Sequence, residues 1–222
     1  MKAMILSAGR GERMRPLTDM TPKALIPVKG KFLIEYHLEA LSKIGVQDIV
    51  INLAYMGEEI KDALRDGRKY GVRIRYSEEG DQGLETGGGI YNALPLLGKE
   101  PFIVVNCDVY TKYSFDALLK PMKGLVHLVL VDNPEHNQKG DFDLKENLLI
   151  HDNSLQQHAY TYAGIGVYHP DLFKGCKHGK FRLLPVLLQA IEQKVATGEY
   201  YPGPWIDIGT RERLIEAERG KA

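Results

Sequence analysis

Apolar positions along this chain switch repeatedly between two periods. Met4-Ile5-Leu6 is a short apolar run that stops at Ser7-Ala8-Gly9, as a buried strand running into a loop does. Residues 33–44 place Leu33, Ile34, Leu38, Leu41 and Ile44 at helical spacing, and Gly45 ends that helix. Ile49–Leu53 reads as a second buried strand, followed by a charged helix over 57–65 that stops near Gly67. Val72–Tyr76 alternates apolar and basic residues, which predicts an edge or half-exposed strand. A helix is expected from near Gly87 to Leu97, and Phe102–Val105 is the next buried strand, delivering Asn106 and Asp108 at its carboxyl end.

After Leu125 the rhythm changes. Strands with short turns are expected over 125–131, 141–151 and 158–168, then a helix over 183–194, a strand over 195–201 and a polar helix over 211–219. Strands alternating with helices imply right-handed crossovers. The expected fold is α/β: a doubly wound, mainly parallel, Rossmann-like sheet with a small β-rich sublobe. Ligands gather at the carboxyl ends of the strands in such sheets. With 222 residues, 44% of them hydrophobic, the chain has material for one sizeable core, so residues 1–222 read as a single domain.

Acidic and basic residues balance at 29 each, so no overall field favours nucleic acid. No apolar run reaches the length of a membrane span, and Met1-Lys2-Ala3 leads straight into a strand without a signal-like segment; a cytoplasmic protein is expected. Cys107 and Cys176 have no metal-type spacing and read as reduced thiols, Cys107 a bystander. Positive charge is local instead. Gly9-Arg10-Gly11-Glu12-Arg13-Met14-Arg15-Pro16-Leu17-Thr18 and Pro22-Lys23 combine close backbone approach with forked cationic donors, a cradle for phosphate. It is not a P-loop, since no Gly-Lys-Ser/Thr closes it. Nor is it a dinucleotide fingerprint, since Met14 stands where a third small residue belongs and Pro16 blocks an immediate helix.

This loop resembles that of the sugar-phosphate nucleotidyltransferases, Gly-x-Gly-x-Arg-Met/Leu-x-Pro-Leu-Thr followed by Pro-Lys, at every motif position. Leu84-Glu85-Thr86-Gly87-Gly88-Gly89, Val105-Asn106-Cys107-Asp108-Val109, Ala163-Gly164-Ile165 and Trp205-Ile206-Asp207-Ile208-Gly209-Thr210 extend the likeness over nearly the whole chain. Val131-Asp132-Asn133-Pro134, Gly140-Asp141-Phe142 and the length are similar to a compact member. The family's C-terminal hexapeptide repeat does not follow, so no second, acetyltransferase activity is expected.

The resemblance implies a nucleotide-diphospho-sugar transferase fold and transfer of a nucleotidyl group to a sugar 1-phosphate with release of pyrophosphate. UTP is the expected donor; the alternatives are uridylyl, thymidylyl or guanylyl transfer to glucose or mannose 1-phosphate, or a non-catalytic nucleotide-sugar-binding sensor on the same fold. It assigns residues up to about 124 to the nucleotide and the remainder to the sugar. Asp108 and Asp207 become Mg2+ ligands, a role each could forgo as an ordinary cap or turn residue. Arg13 and Lys23 become catalytic phosphate clamps. Ala8, Gly9, Gly11, Glu12, Arg13, Lys23, Glu85, Thr86 and Gly87 fall to the nucleotide, and Asn106 and Asp141 to the sugar phosphate. Glu85 stands where many relatives have glycine, and the Glu-Lys-Pro motif of larger relatives is missing. For a sugar bearing a carboxylate, Lys180 or Arg182 is the basic partner on offer, unless both simply face solvent. The expected enzyme is a monomer that binds neither nucleic acid nor membrane, and needs no general base because a sugar phosphate is largely dianionic at neutral pH.

Overall fold

The structure, a computed structural model, describes residues 1–151 and 159–220. Its elements in chain order are β1 (Lys2–Leu6), β2 (Pro27–Val28), β3 (Lys31–Phe32), α1 (Leu33–Lys43), β4 (Asp48–Leu53), α2 (Gly57–Leu64), β5 (Arg73–Glu78), α3 (Glu85–Leu97), β6 (Phe102–Asn106) and β7 (Val109–Thr111). There follow β8 (Val126–Val131), β9 (Asp143–Lys145), β10 (Leu148–Ile150), β11 (Thr161–Tyr168), α4 (Leu184–Glu192), β12 (Ala196–Tyr200), β13 (Trp205–Asp207) and α5 (Arg211–Glu218).

Among the described residues, nine strands form one sheet in the order β5-β4-β1-β6-β11-β8-β12-β10-β9. All point the same way except β10 and β11, which run against their neighbours. The order departs from β1 in both directions, to β4 and β5 on one side and to β6 on the other. The switch point between β1 and β6 therefore opens a crevice at Leu6 and Asn106, the last register pair of those strands. The β-rich half adds β8, β11 and β12 to this same sheet, with the β9–β10 hairpin at its far edge. That hairpin turns at Glu146 and Asn147, both at positive φ (50° and 68°), as a tight two-residue turn requires.

Uninterrupted apolar strands follow from burial on both faces. Ala3, Ile5, Ile103 and Val105 pack with Ile34, Leu38 and Leu41 of α1 and Ile60 of α2. Met4, Phe102 and Val104 face the other way, against Ile90 and Ala93 of α3 and Leu187 of α4. Strand β5 keeps the predicted alternation at the sheet edge, Ile74 buried between exposed Arg73 and Arg75. His158, the first residue of the expected 158–168 strand, lies outside the described residues. The pairing of β7 with β13, with Asp207 opposite Val109, is not apparent in the sequence pattern.

Candidate active site

The loop after β1 is built from short 3-10 turns, and its motif residues have structural reasons. Gly11 adopts φ 64°, and a Cβ there would stand 2.8 Å from Thr18 Cγ2. Thr18, itself buried, donates from Oγ1 to the Gly11 carbonyl at 2.8 Å. Met14 is fully buried in a small core with Ile26, Val28, Leu33, Ile208 and Ala217. That core ties the arginine loop to the β13–α5 segment near the opposite end of the chain. Anchoring Met14 holds Arg13 beside Gly209, where a Cβ would come within 3.0 Å of Arg13 Nη2 and 2.3 Å of Arg213 Nη2.

Two carboxylates meet across the β7–β13 ladder, where Ile208 N donates to the Asp108 carbonyl at 2.8 Å. Each has its own cation: Lys23 Nζ donates to Asp108 Oδ2, and Arg213 Nη1 to Asp207 Oδ1 at 2.7 Å. His136 Nε2 lies 3.2 Å from the same Asp207 oxygen. Burial raises the Asp207 carboxyl pKa and the Asp108 charge adds to the rise, while Arg213 and His136 pull it down.

Two cavities adjoin at Asp108. One of about 560 Å³ is lined by Ala8, Gly9, Gly11, Glu12, Arg13, Lys23, Glu85 and Thr86, and by Asn106 and Asp108. The other, of about 320 Å³, shares Asn106 and Asp108 and adds His136, Asp141, Tyr162, Gly164 and Asp207. Gly164 lies at φ 72° where the β11–β8 register shifts, and a Cβ there would stand 2.7 Å from Asn106 Nδ2. The bulge makes room for Asn106 at the junction. Asp141 faces the smaller cavity with its carboxylate engaged: Oδ2 accepts from Tyr162 N at 2.8 Å and Oδ1 from Asn137 Nδ2 at 3.2 Å.

The structure thus brings together all of the expected residues except Gly87, which lines neither cavity. Gly87 is a packing residue: its Cβ would meet Phe181 Cδ2 at 2.6 Å. Lys180, offered above as a carboxylate partner on the sugar side, lines the larger cavity instead, and Arg182 reaches toward Glu85, 4.0 Å away. Glu85 sits at φ 59°, a left-handed conformation that glycine adopts freely. Burial pushes the Cys107 thiol up to about 12, so it stays protonated and inert.

Sequence reading missed Arg213 and His136. Arg213 lies in the helix that the sequence marks only as polar. The available signal was Thr210, which caps α5 by accepting from Arg213 N at 3.4 Å. A side chain one turn inside a helix start points back toward that start, and here toward Asp207.

Asp108 and Asp207 fit a hard divalent cation. Among the described residues no three His, Cys, Asp or Glu side chains converge to hold a metal unaided. Two carboxylates, completed by substrate phosphates and water, are the set magnesium commonly takes.

Residues 2–142 match the family model described as nucleotidyl transferase. An N-acetylmuramate alpha-1-phosphate uridylyltransferase of Neisseria meningitidis serogroup B is 49% identical, with 98% of this chain and 97% of that protein aligned. A protein of the same name from Caulobacter vibrioides is 34% identical over 97% of this chain and 95% of its own. In fold, HddC of Yersinia pseudotuberculosis, solved with GMP-PN, superposes with a TM-score of 0.79 at 21% identity, covering 100% of this chain and 99% of its own. The chain belongs to the nucleotidyl transferase family. Its likeness to the two uridylyltransferases extends over nearly the full length of each protein.

Proposed function

We propose that this protein transfers the uridylyl group of UTP to N-acetylmuramic acid 1-phosphate, giving UDP-N-acetylmuramic acid and pyrophosphate. The observation that carries this reading is the pair of cavities joined at Asn106 and Asp108, with Asp207 on the smaller one. The 49% identity to a relative bearing that activity in its name supports the choice of substrates. Peptidoglycan recycling is the corresponding role. The absence of any helix long and apolar enough to cross a membrane, among the described residues, is compatible with action in the cytoplasm.

In this reading the triphosphate lies in the larger cavity and the sugar in the smaller. An oxygen of the sugar phosphate attacks the α-phosphorus, and the bond to the bridging α–β oxygen breaks. No proton need move, since the attacking oxygen is already ionised. Magnesium held by Asp108 and Asp207 would neutralise phosphate charge and orient the reacting groups. Lys23, which pairs with Asp108 here, is the cation on hand for the α-phosphate. Arg13 faces the departing pyrophosphate, so its donors strengthen as charge develops. Asn106 and Asp141 meet the polar groups of the sugar.

Pyrophosphate release across four nucleoside triphosphates and several sugar 1-phosphates tests the reading. Highest kcat/KM for UTP with the muramic sugar is expected. Preference for glucose or mannose 1-phosphate, or for another triphosphate, would replace the substrates named here.

A further inference from the structure

The larger cavity has two unlike walls. Arg13, Lys23 and the backbone of Gly9 and Gly11 form one. The other, residues 79–86, carries no cation and three carboxylates, Glu79, Asp81 and Glu85, with Gln82 and Thr86 between them. Arg10 Nη2 donates to the Asp81 carbonyl at 2.9 Å and Lys180 also lines the cavity, so this wall is mixed in charge; its carboxylates, amide and hydroxyl suit a ring with hydrogen-bonding edges. On the reading that this cavity takes a nucleoside triphosphate, it is the base-facing wall.

Beneath that wall lies a hydrogen-bonded clasp. Asn52, at the end of β4 and 3% exposed, accepts from Ser7 N at 2.8 Å through Oδ1. Its Nδ2 donates to Glu79 Oε1 at 2.6 Å. The other oxygen, Glu79 Oε2, accepts from Leu84 N at 2.7 Å. The carboxylate thereby joins the carboxyl ends of β1, β4 and β5 to the loop that lines the cavity. Room for it depends on Gly89 of α3, where a Cβ would stand 2.3 Å from Glu79 Oε1. From the far side, Phe181 N donates to Leu84 O at 3.1 Å and Gly88 N to Phe181 O at 3.0 Å. Between these holds Glu85 keeps its φ of 59°. A left-handed backbone at a residue other than glycine persists where its surroundings over-determine it.

We infer that Glu79, held by Asn52, is the positioning residue of the base-facing loop and sets how tightly and how selectively the nucleobase is bound. Both carboxylate oxygens are accepting, so a glutamine cannot replace Glu79: its amide has one acceptor, and its NH2 would face either Asn52 Nδ2 or Leu84 N–H. Gly89 offers an independent probe, because alanine there displaces the carboxylate without removing it and suits a helix.

The test uses the full chain with Glu79→Gln and with Gly89→Ala. Each variant should raise the KM for the nucleoside triphosphate by about tenfold, the equivalent of one lost hydrogen bond of about 1.4 kcal/mol. Selectivity among triphosphates should narrow. The KM values for the sugar 1-phosphate, and for pyrophosphate in the reverse reaction, should stay within about twofold, as neither ligand carries a base. Unchanged nucleotide KM and selectivity in a folded Gly89→Ala protein would overturn the inference, whatever the melting temperature does. A parallel rise in the pyrophosphate KM would also overturn it, by placing the effect on the phosphates. A wild-type preference for a triphosphate other than UTP would instead remove the proposed substrate, and the same KM comparison, made with the preferred triphosphate, would still test the clasp.

Discussion

Arg13 and Arg213 converge on Gly209 from opposite ends of the chain, yet they have different work. Arg213 is committed to Asp207, and its Nε and Nη2 are buried without a protein partner among the described residues. Arg13 faces the larger cavity. Arg13→Ala should therefore cut kcat by about 10²–10³ with little change in the sugar 1-phosphate KM, the size expected for a deleted transition-state donor. Arg13→Lys should restore only part of this, since an ammonium lacks the forked geometry. Steady-state kinetics of both variants checks the assignment; a raised sugar KM at unchanged kcat would place Arg13 on the sugar. A second residue-scale effect concerns stability. Burial lowers the His37 pKa from 6.5 to about 4, against the opposing pull of Asp108. The unfolded chain then binds the extra proton between those values, so this contribution is complete above pH 6.5 and is lost as pH falls toward 4. Over that window it amounts to about 3 kcal/mol. Denaturant midpoints at pH 5 and pH 7 should differ less in His37→Gln than in the wild type.

At the scale of elements, the site depends on two irregularities. The ladder of β7 with β13 brings Asp207 to Asp108. The bulge in β11 gives Asn106 its place between the cavities. Gly164→Ala should cost about 1–3 kcal/mol, because it adds a side chain at positive φ against the Asn106 amide. It should also raise the sugar 1-phosphate KM more than that of the nucleotide. Thermal melts and paired KM measurements check both halves of this expectation; equal changes in the two KM values would detach the bulge from the sugar side.

Across the whole molecule, two cavities adjoin at the switch point of the sheet, with Asp108 lining both and Asp207 the smaller. Nucleotide with magnesium, each well above its dissociation constant, should stabilise the fold by mass action. At a hundredfold excess over Kd the gain is about 2.7 kcal/mol, which for a chain of this size is a rise in Tm of roughly 5–10 °C. Asp108→Asn and Asp207→Asn should each abolish most turnover and remove the magnesium-dependent part of that shift, measured against each variant's own melt without ligand, which Asp207→Asn lowers by leaving buried Arg213 without its carboxylate. Calorimetry with and without magnesium reads this without relying on activity. A full magnesium-dependent shift in either variant would take that aspartate out of the metal site.

Strand and helix order, the edge character of β5, the arginine loop and the carboxylate at the end of β6 were all legible in the sequence, because each rests on local periodicity or on a contiguous motif. Local order could also place Asp141, Glu85 and Thr86 near strand or helix ends. It could not show that Asp207 lies across a short ladder from Asp108, that Arg213 turns inward, or that Gly87 packs against Phe181. Nor could it show that Lys180 belongs to the larger cavity. Those placements come from contacts between segments as many as about two hundred residues apart in the chain. They were decided by the small core around Met14, by the switch of strand order at β1, and by glycines whose missing side chains let distant groups approach. The sequence by itself determined the elements and the chemistry available at their ends; the tertiary structure alone decided which ends meet, since pairing free energy depends on packing complementarity rather than on any local period.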